Sequence, residues 1–179
     1  MKVSIAGVGM ISAIGENIVE SLQSIESEKS GIGPFKYLET VHQSDFPAGE
    51  VKQSNKELAE ISKAPVHLSR TALLSLIAAR EALTDAEIEN VSSLRTGFIS
   101  ANSVGGMDKS EKFFSEFLRD HNKGSLRDVV NHESGKISEI VAPRSLSNAV
   151  SIDDCSLFPI LVLPPPIFRS KATVWLMAL

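Results

Sequence analysis

Cysteine is almost absent from this 179-residue sequence, which contains Cys155 alone. A single cysteine excludes an internal disulfide and fits a reducing compartment. With only four scattered histidines beside it, zinc sites of the usual cysteine and histidine type are excluded as well. Basic residues are also few, since 18 lysines and arginines stand against 22 aspartates and glutamates, with no basic stripe interleaved with aromatics. We therefore expect no nucleic-acid partner.

The sequence also lacks a hydrophobic run long enough to cross a membrane. The strongest candidate, LFPILVLPPPIF at residues 157–168, is shorter than the ~20 residues that a spanning helix needs, and prolines interrupt it. Residues 3–14 follow Lys2 and are similar to the apolar core of a signal peptide. Their glycines and the absence of a leucine run favour a buried strand instead. We expect a cytoplasmic protein without a membrane partner.

Glycines interrupt the apolar stretch VSIAGVGMISAIG at residues 3–15 and raise the question of a phosphate-binding loop. The dinucleotide-binding fingerprint needs a third glycine at the position of Ser12 and a helix directly afterwards. Residues 11–15 continue instead as small and apolar side chains, and no acidic residue stands out about 20 positions further on. The stretch predicts a buried strand that runs into a turn, with nucleotide binding as the alternative.

Stretches with helical and strand-like spacing alternate along the rest of the chain. Ser69 is the predicted N-cap of a long, largely buried helix, and residues 35–68 are polar and irregular apart from a short strand at FPAGEVK. Further helices are predicted from Glu16 to Gly31, over 108–120 and over 131–142, the last with Ile137, Ile140 and Val141 inward, and a further strand over 95–103. This alternation indicates an α/β fold with a parallel or mixed sheet.

The composition changes abruptly near residues 143–155. Beyond Cys155 the only charged residues are Arg169 and Lys171, and four prolines follow within twelve positions. We therefore divide the chain into a patterned region, 1–142, and an atypical, irregular, proline-rich tail, 143–179. A shift of the reading frame is our hypothesis for the origin of this tail, and the coding DNA would test it.

Five stretches resemble, in the same order, segments of the β-ketoacyl synthases, the condensing enzymes of fatty-acid and polyketide synthesis. They are VSIAGVGMISAIGENIVESL, SEKSGIGPF, FPAGEV, SRTALLSLIAAREALTDAEI and RTGFISANSVGGM. The resemblance covers residues 1–142 and implies the N-terminal half of a thiolase-like α/β fold, in which the first glycines end a core strand. A chain with this half alone is expected to expose apolar faces and to be poorly soluble or oligomeric.

The resemblance implies a decarboxylative condensation of acyl and malonyl thioesters. The substrates are carried on the phosphopantetheine of an acyl carrier protein, the expected partner, and neither a metal nor a redox cofactor takes part. Cys155 lies where the family has its nucleophile, and Val104 matches a position that lines the acyl-chain pocket near the dimer interface. For Val104 the alternative is simple core packing at a strand end. A homo- or hetero-oligomer is expected.

The surroundings of Cys155 depart from the family pattern. Asp153 and Asp154 replace small residues, and a neighbouring carboxylate disfavours the thiolate that a nucleophile needs. The three prolines at 164–166 exclude a long helix after Cys155, since each proline inside a helix costs ~3 kcal/mol. All four histidines precede Cys155, whereas the catalytic pair of the family follows it. We expect a chain that is inactive alone; the alternative is a non-catalytic half-domain partner of a full-length synthase or carrier protein.

Overall fold

The structure, a computed structural model, describes residues 5–43, 45–90, 97–102, 105–130, 132–133, 136–145, 150–154 and 173–176. Helices and strands are intermixed along the chain. The strands are β1 (Ile5–Gly9), β2 (Ile32–Gly33), β3 (Ala48–Gly49), β4 (Gly97–Ala101), β5 (Val150–Asp154) and β6 (Thr173–Leu176). The helices are α1 (Ile18–Glu26), α2 (Asn55–Ser62), α3 (Arg70–Asp85), α4 (Met107–Arg119), α5 (Leu126–Val129) and α6 (Lys136–Ser145).

The strands pair two by two. β1 runs parallel to β6, and β4 runs parallel to β5, with Gly97 opposite Val150 and Ala101 opposite Asp154. β2 and β3 form a short antiparallel pair. Parallel pairs joined through helices confirm the predicted α/β class. Two of the paired strands, β5 and β6, lie in the tail, where the sequence pattern indicates neither strand nor helix.

Helix α3 is the centre of the hydrophobic core. It begins where the sequence predicts, because the hydroxyl of Ser69 accepts the backbone N–H of Ala72 at 3.3 Å. Its buried Leu73 and Leu76 pack in one cluster with residues of α2 and α6. From α6, this cluster includes Ile137, Ile140 and Val141, the three residues predicted to point inward.

Close backbone contact between β1 and α3 explains the glycines of the first stretch. A Cβ atom on Gly9 would lie 2.1 Å from the carbonyl oxygen of Ala78, and one on Gly7 would lie 2.3 Å from that of Ala82. Small residues on both elements therefore let the helix rest directly on the strand. The packing of the helix on the strand accounts for these glycines without a phosphate-binding loop.

Two acidic residues of α3 fasten β1 and the following turn to the helix. The carboxylate of Asp85 accepts the backbone N–H of Val8 at 2.8 Å. That of Glu81 accepts two backbone N–H groups, those of Met10 and Ile18, each at 2.8 Å. One side chain thus links the end of β1 to the start of α1.

The structure differs from the sequence-based expectation in the segment 35–68 and at the end of α1. Helix α2 lies where an irregular segment was expected, and it carries a capping box in which Ser54 and Glu57 satisfy each other's backbone N–H groups. Helix α1 ends at Glu26, five residues before Gly31, because Ser27 and Glu28 close it with turn hydrogen bonds. Glu28 itself adopts a left-handed φ of 53°.

Candidate active-site edge

The two candidate site residues, Val104 and Cys155, follow the carboxyl ends of β4 and β5 in the sequence. We call these two strand ends the candidate edge. The two strands are parallel and in register, so Ala101 and Asp154 end side by side. In open α/β sheets, ligands bind beyond the carboxyl ends of such strands. Cys155 directly follows Asp154, and Val104 is the third residue after Ala101. Both residues lie outside the described residues, so the roles assigned to them remain predictions.

The turn between β4 and α4 is held by hydrogen bonds on both sides. Gly105 has a φ of 53°, a left-handed conformation that favours glycine, and its N–H donates to the side-chain oxygen of Asn102 at 2.7 Å. The N–H of Gly106 donates to the carbonyl oxygen of His132 at 2.8 Å. The spacing of Asn102 and Gly105 is a turn signal that the sequence contains and that our sequence analysis did not use.

The beginning of α4 is joined to the beginning of α3. Asp108, in the first turn of α4, accepts the backbone N–H of Arg70 at 3.1 Å. A carboxylate in this position also interacts favourably with the dipole of its own helix. The turn that follows β4 is therefore anchored to the core helix, which fixes one wall of the candidate edge.

Arg70 is half-buried, and its guanidinium group forms hydrogen bonds to residues 51–55. Its guanidinium donates to the carbonyl oxygens of Val51 and Gln53, at 2.8 and 2.9 Å, and to the side-chain oxygen of Asn55 at 2.9 Å. Burial lowers the pKa of Arg70, while the charges of Glu50 and Asp108 oppose that shift. Arg70 thereby ties the start of α3 to the segment before α2, a connection that the sequence analysis missed.

Glu50 organises the loop between β2 and β3. Its carboxylate accepts the backbone N–H groups of Lys36, Tyr37 and Leu38 at distances from 2.7 to 3.1 Å. Burial alone would raise the pKa of Glu50, but these three donors and the charge of Arg70 outweigh it, so the pKa lies below its ordinary value of 4.5.

All four histidines are described, and they lie on four different segments of the chain. His42 pairs with Asp45 at 2.9 Å in an exposed loop, and the ring of His121 packs 5.1 Å from that of Phe117. His132 follows α5 and places its Nδ1 against the carbonyl oxygen of Val129. His67 lies in the turn before α3. Among the described residues, no three histidine, cysteine, aspartate or glutamate side chains gather in a way that could hold a metal ion.

Among the helices that the structure describes, none combines the length and the apolar character that crossing a lipid bilayer requires.

Comparison with known proteins first identifies the class of fold. The structure superposes on the ishigamide ketosynthase/chain length factor with a TM-score of 0.71 and 19% sequence identity, over 84% of this chain and 39% of the other. The chain thus has part of a thiolase-like fold, the fold class that the resemblance predicted.

The family follows from the sequence comparisons. Residues 1–153 match the family described as "Beta-ketoacyl synthase, N-terminal domain", so the chain belongs to the β-ketoacyl synthases. It is 30% identical over 114 residues to 3-oxoacyl-[acyl-carrier-protein] synthase 2 of Staphylococcus aureus strain MRSA252, and 29% identical over 112 residues to that of strain N315. These matches cover 62% of this chain but 27% of each relative. The chain therefore spans about a quarter of the length of these curated relatives.

Proposed function

We propose that this chain supplies the N-terminal part of a β-ketoacyl-[acyl-carrier-protein] synthase and is inactive by itself. The observation that carries the proposal is the family match over residues 1–153, which includes β1, α3 and the parallel pair of β4 and β5. The complete activity would be the condensation of acyl and malonyl thioesters in fatty-acid or polyketide synthesis. Acyl carrier protein would be the partner, in the cytoplasm, with no metal or redox cofactor.

In this proposal, Cys155 is the nucleophile of a two-step reaction. Its sulfur attacks the thioester of an acyl group on the carrier protein, so the carrier thiol leaves and the acyl group is held on the enzyme. Malonyl carried on a second carrier protein then loses carbon dioxide, and the resulting carbanion attacks the enzyme-bound thioester. The Cys155 sulfur leaves as a thiolate, and the product is a 3-oxoacyl thioester on the carrier. Val104 would line the pocket for the acyl chain.

Two features of the sequence argue that Cys155 is a poor nucleophile in this chain. Asp153 and Asp154 place negative charge in the chain directly before Cys155, which opposes thiolate formation. The prolines at 164–166 exclude the long helix whose N–H groups and dipole would activate the sulfur.

A condensation assay with radiolabelled malonyl carrier protein and acyl carrier protein tests the proposal. The full chain is assayed alone and after co-expression with the part of the S. aureus synthase that lies C-terminal to the region matched by this chain. We expect no 3-oxoacyl product from the chain alone. In the complex we expect only slow turnover, because the partner completes the fold but leaves Asp153, Asp154 and the prolines at 164–166 in place, and the variant Cys155→Ala should abolish this turnover. Turnover by the chain alone would disprove the proposed inactivity. A complex that forms but gives no turnover would disprove the catalytic role.

That last outcome is the one expected from the alternative function, a non-catalytic half-domain that binds a full-length synthase or a carrier protein. The exposed apolar side of α1 supports a binding role of this kind, since Val19, Leu22 and Ile25 are each at least half exposed. Association of the full chain with intact S. aureus synthase or with carrier protein, without any product in the assay, would favour this alternative.

A further inference from the structure

Strand β6, in the tail, lies beside strand β1, although the sequence pattern of the tail indicates no strand there. The two strands run parallel. Three residues of β1 have aligned partners in β6, namely Ile5 with Thr173, Val8 with Trp175 and Gly9 with Leu176. A pairing of backbone groups between two distant segments is therefore part of the fold.

One edge of β1 is closed by a side chain of α3. The N–H of Val8 donates to the carboxylate of Asp85 at 2.8 Å and is not available to a strand. Along a strand, the N–H groups of alternate residues point to opposite edges. Those of Gly7 and Gly9 therefore face the other edge, along which β6 lies. At residues 7–9, β1 thus offers one edge for strand pairing, and β6 occupies it.

Helix α3 lies against both strands of this pair. It rests directly on Gly7 and Gly9 of β1, and β6 is also next to it. A strand at this edge therefore has two neighbours, and β1 offers it backbone hydrogen-bonding groups. Because main-chain bonds of this kind do not depend on side chains, a segment without a strand pattern can occupy the edge.

The pairing of β6 with β1 is less regular than the other parallel pairing. β4 and β5 are aligned residue by residue over the full length of both strands. β6 has four residues, and its register with β1 shifts between Ile5 and Val8. Such a shift interrupts the ladder of hydrogen bonds between two strands. Less has to be broken to separate β6 from β1 than to separate β5 from β4.

The connection to β6 is long enough to reach a second molecule. Residues 155–172 join β5 to β6. A segment of this length spans up to about 60 Å when extended, about twice the diameter of a small domain. A β6 strand that leaves its own β1 can therefore reach the β1 strand of another copy. The exchange needs no new complementary surface, because the bonds that form are the same as those that break.

We propose that the edge of β1 at residues 7–9 is a strand-acceptor site, that β6 is releasable from it, and that two copies of this chain associate by exchanging β6. In the monomer, β6 pairs with β1 of its own chain. In the exchanged dimer, each β6 pairs with β1 of the other copy. The monomer predominates in dilute solution because the connection keeps β6 near its own β1, and exchange increases with the concentration at which the chain folds. The proposal does not depend on the condensation reaction.

A fluorescein-labelled peptide with the sequence of residues 169–179 tests the acceptor site. The full chain carries Trp175→Pro, which removes the backbone N–H of the residue aligned with Val8. The matched control is Leu163→Pro, which lies in the tail but outside β6. By fluorescence anisotropy, we expect the Trp175→Pro chain to bind the peptide at least about tenfold more tightly than the wild type or the control, whose own β6 competes for the site. A peptide that itself carries Trp175→Pro should not bind.

Two results of this experiment would overturn the proposal. The first is a Trp175→Pro chain that has the helical circular dichroism of the control but does not bind the peptide, because β1 is then not an acceptor. The second is equal binding to the Trp175→Pro chain and to the wild type, because β6 then does not occupy the site.

Measurements on the wild type keep the proposal testable even if Trp175→Pro does not fold. The backbone amides of β6 should exchange hydrogen at least about tenfold faster than those of α3, and equally slow exchange would show that β6 is not releasable. After refolding from urea at increasing protein concentration, size-exclusion chromatography with light scattering should show a rising fraction of dimer. A monomer at every concentration, or a dimer that a folded Trp175→Pro chain forms equally well, would overturn the exchange of β6. No condensation is measured, so a failure here is distinguishable from a failure of the proposed function.

Discussion

Replacing Gly9 by alanine adds one methyl group where the backbones of β1 and α3 are in close contact. The new Cβ atom would lie 2.1 Å from the carbonyl oxygen of Ala78 and 2.7 Å from the backbone nitrogen of Ala82. Ordinary van der Waals contact begins near 3.4 Å, so β1 and α3 must separate by more than 1 Å to accept the methyl group. The obstacles are backbone atoms in the middle of a 16-residue helix and cannot rotate away as a side chain would.

The cost follows from the contacts that this separation weakens. A gap of 0.5–1 Å already forfeits roughly a quarter to a half of each van der Waals interaction across it. Overpacking usually costs about 1–3 kcal/mol, and we expect Gly9→Ala to reach about 3 kcal/mol because a whole helix must move. In a domain of this size, such a loss lowers the melting temperature by roughly 6–12 °C. With a urea m-value of about 2 kcal/mol/M, the unfolding midpoint falls by about 1.5 M.

Urea unfolding followed by circular dichroism at 222 nm measures the effect, and Gly33→Ala is the matched control. Gly33 also lies in a strand, but a Cβ atom there would meet nothing within 4 Å. Removing the flexibility of glycine should leave the stability of this variant unchanged or raise it by about 0.5 kcal/mol. If Gly9→Ala were as stable as Gly33→Ala, the close contact between β1 and α3 would not exist. A dinucleotide that raised the melting temperature of the wild type would restore the phosphate-binding interpretation.

Three further predictions concern charged or reactive groups. Glu50→Gln should destabilise the chain by about 1–2 kcal/mol at pH 7, as measured by urea unfolding. The difference from wild type should vanish in the same assay as the pH falls through the lowered pKa of Glu50. Its stabilisation is present above the unfolded pKa and absent once the carboxylate is protonated, so a difference that persisted at pH 2 would contradict this. Arg70→Lys should cost about 1–3 kcal/mol, because one ammonium group cannot replace three guanidinium hydrogen bonds, and an unchanged midpoint would refute it. Iodoacetamide should alkylate Cys155 no faster than free cysteine at pH 7, and faster alkylation would disprove the inhibitory effect of Asp153 and Asp154.

The core helices were readable because their signals are local. Ser69 lies directly before an unbroken apolar pattern, and the inward residues of α6 repeat at helical spacing, so α3 and the buried side of α6 were predicted and confirmed. The same rule could have found α2, since Ser54 and Glu57 form a capping-box pattern at the start of that helix. Its polar composition concealed it, because only Leu58 and Ala59 supply its buried apolar side chains.

What the sequence could not show were contacts between distant segments. The approach of α3 to Gly9 joins residues about 70 positions apart, and the bonds from Glu81 to Met10 and Ile18 span similar distances. The spacing of apolar residues within one segment does not indicate which distant segment it contacts. At the candidate edge, the pairing of β4 with β5 was not predicted either, because the sequence around β5 and Cys155 has no strand pattern. The family resemblance predicted the order of the elements along the chain, and the structure shows which elements lie next to each other.

Two parts of the chain bury their apolar side chains to different degrees. Around α3, buried leucines and alanines are closed in by α2 and α6, and these packed helices form a core within the chain. Helix α1 and β1 are attached to that core by glycines, serines and acidic side chains, and they leave Ile5, Val19, Leu22 and Ile25 exposed. Anchoring by polar groups fixes an apolar surface in place without burying it.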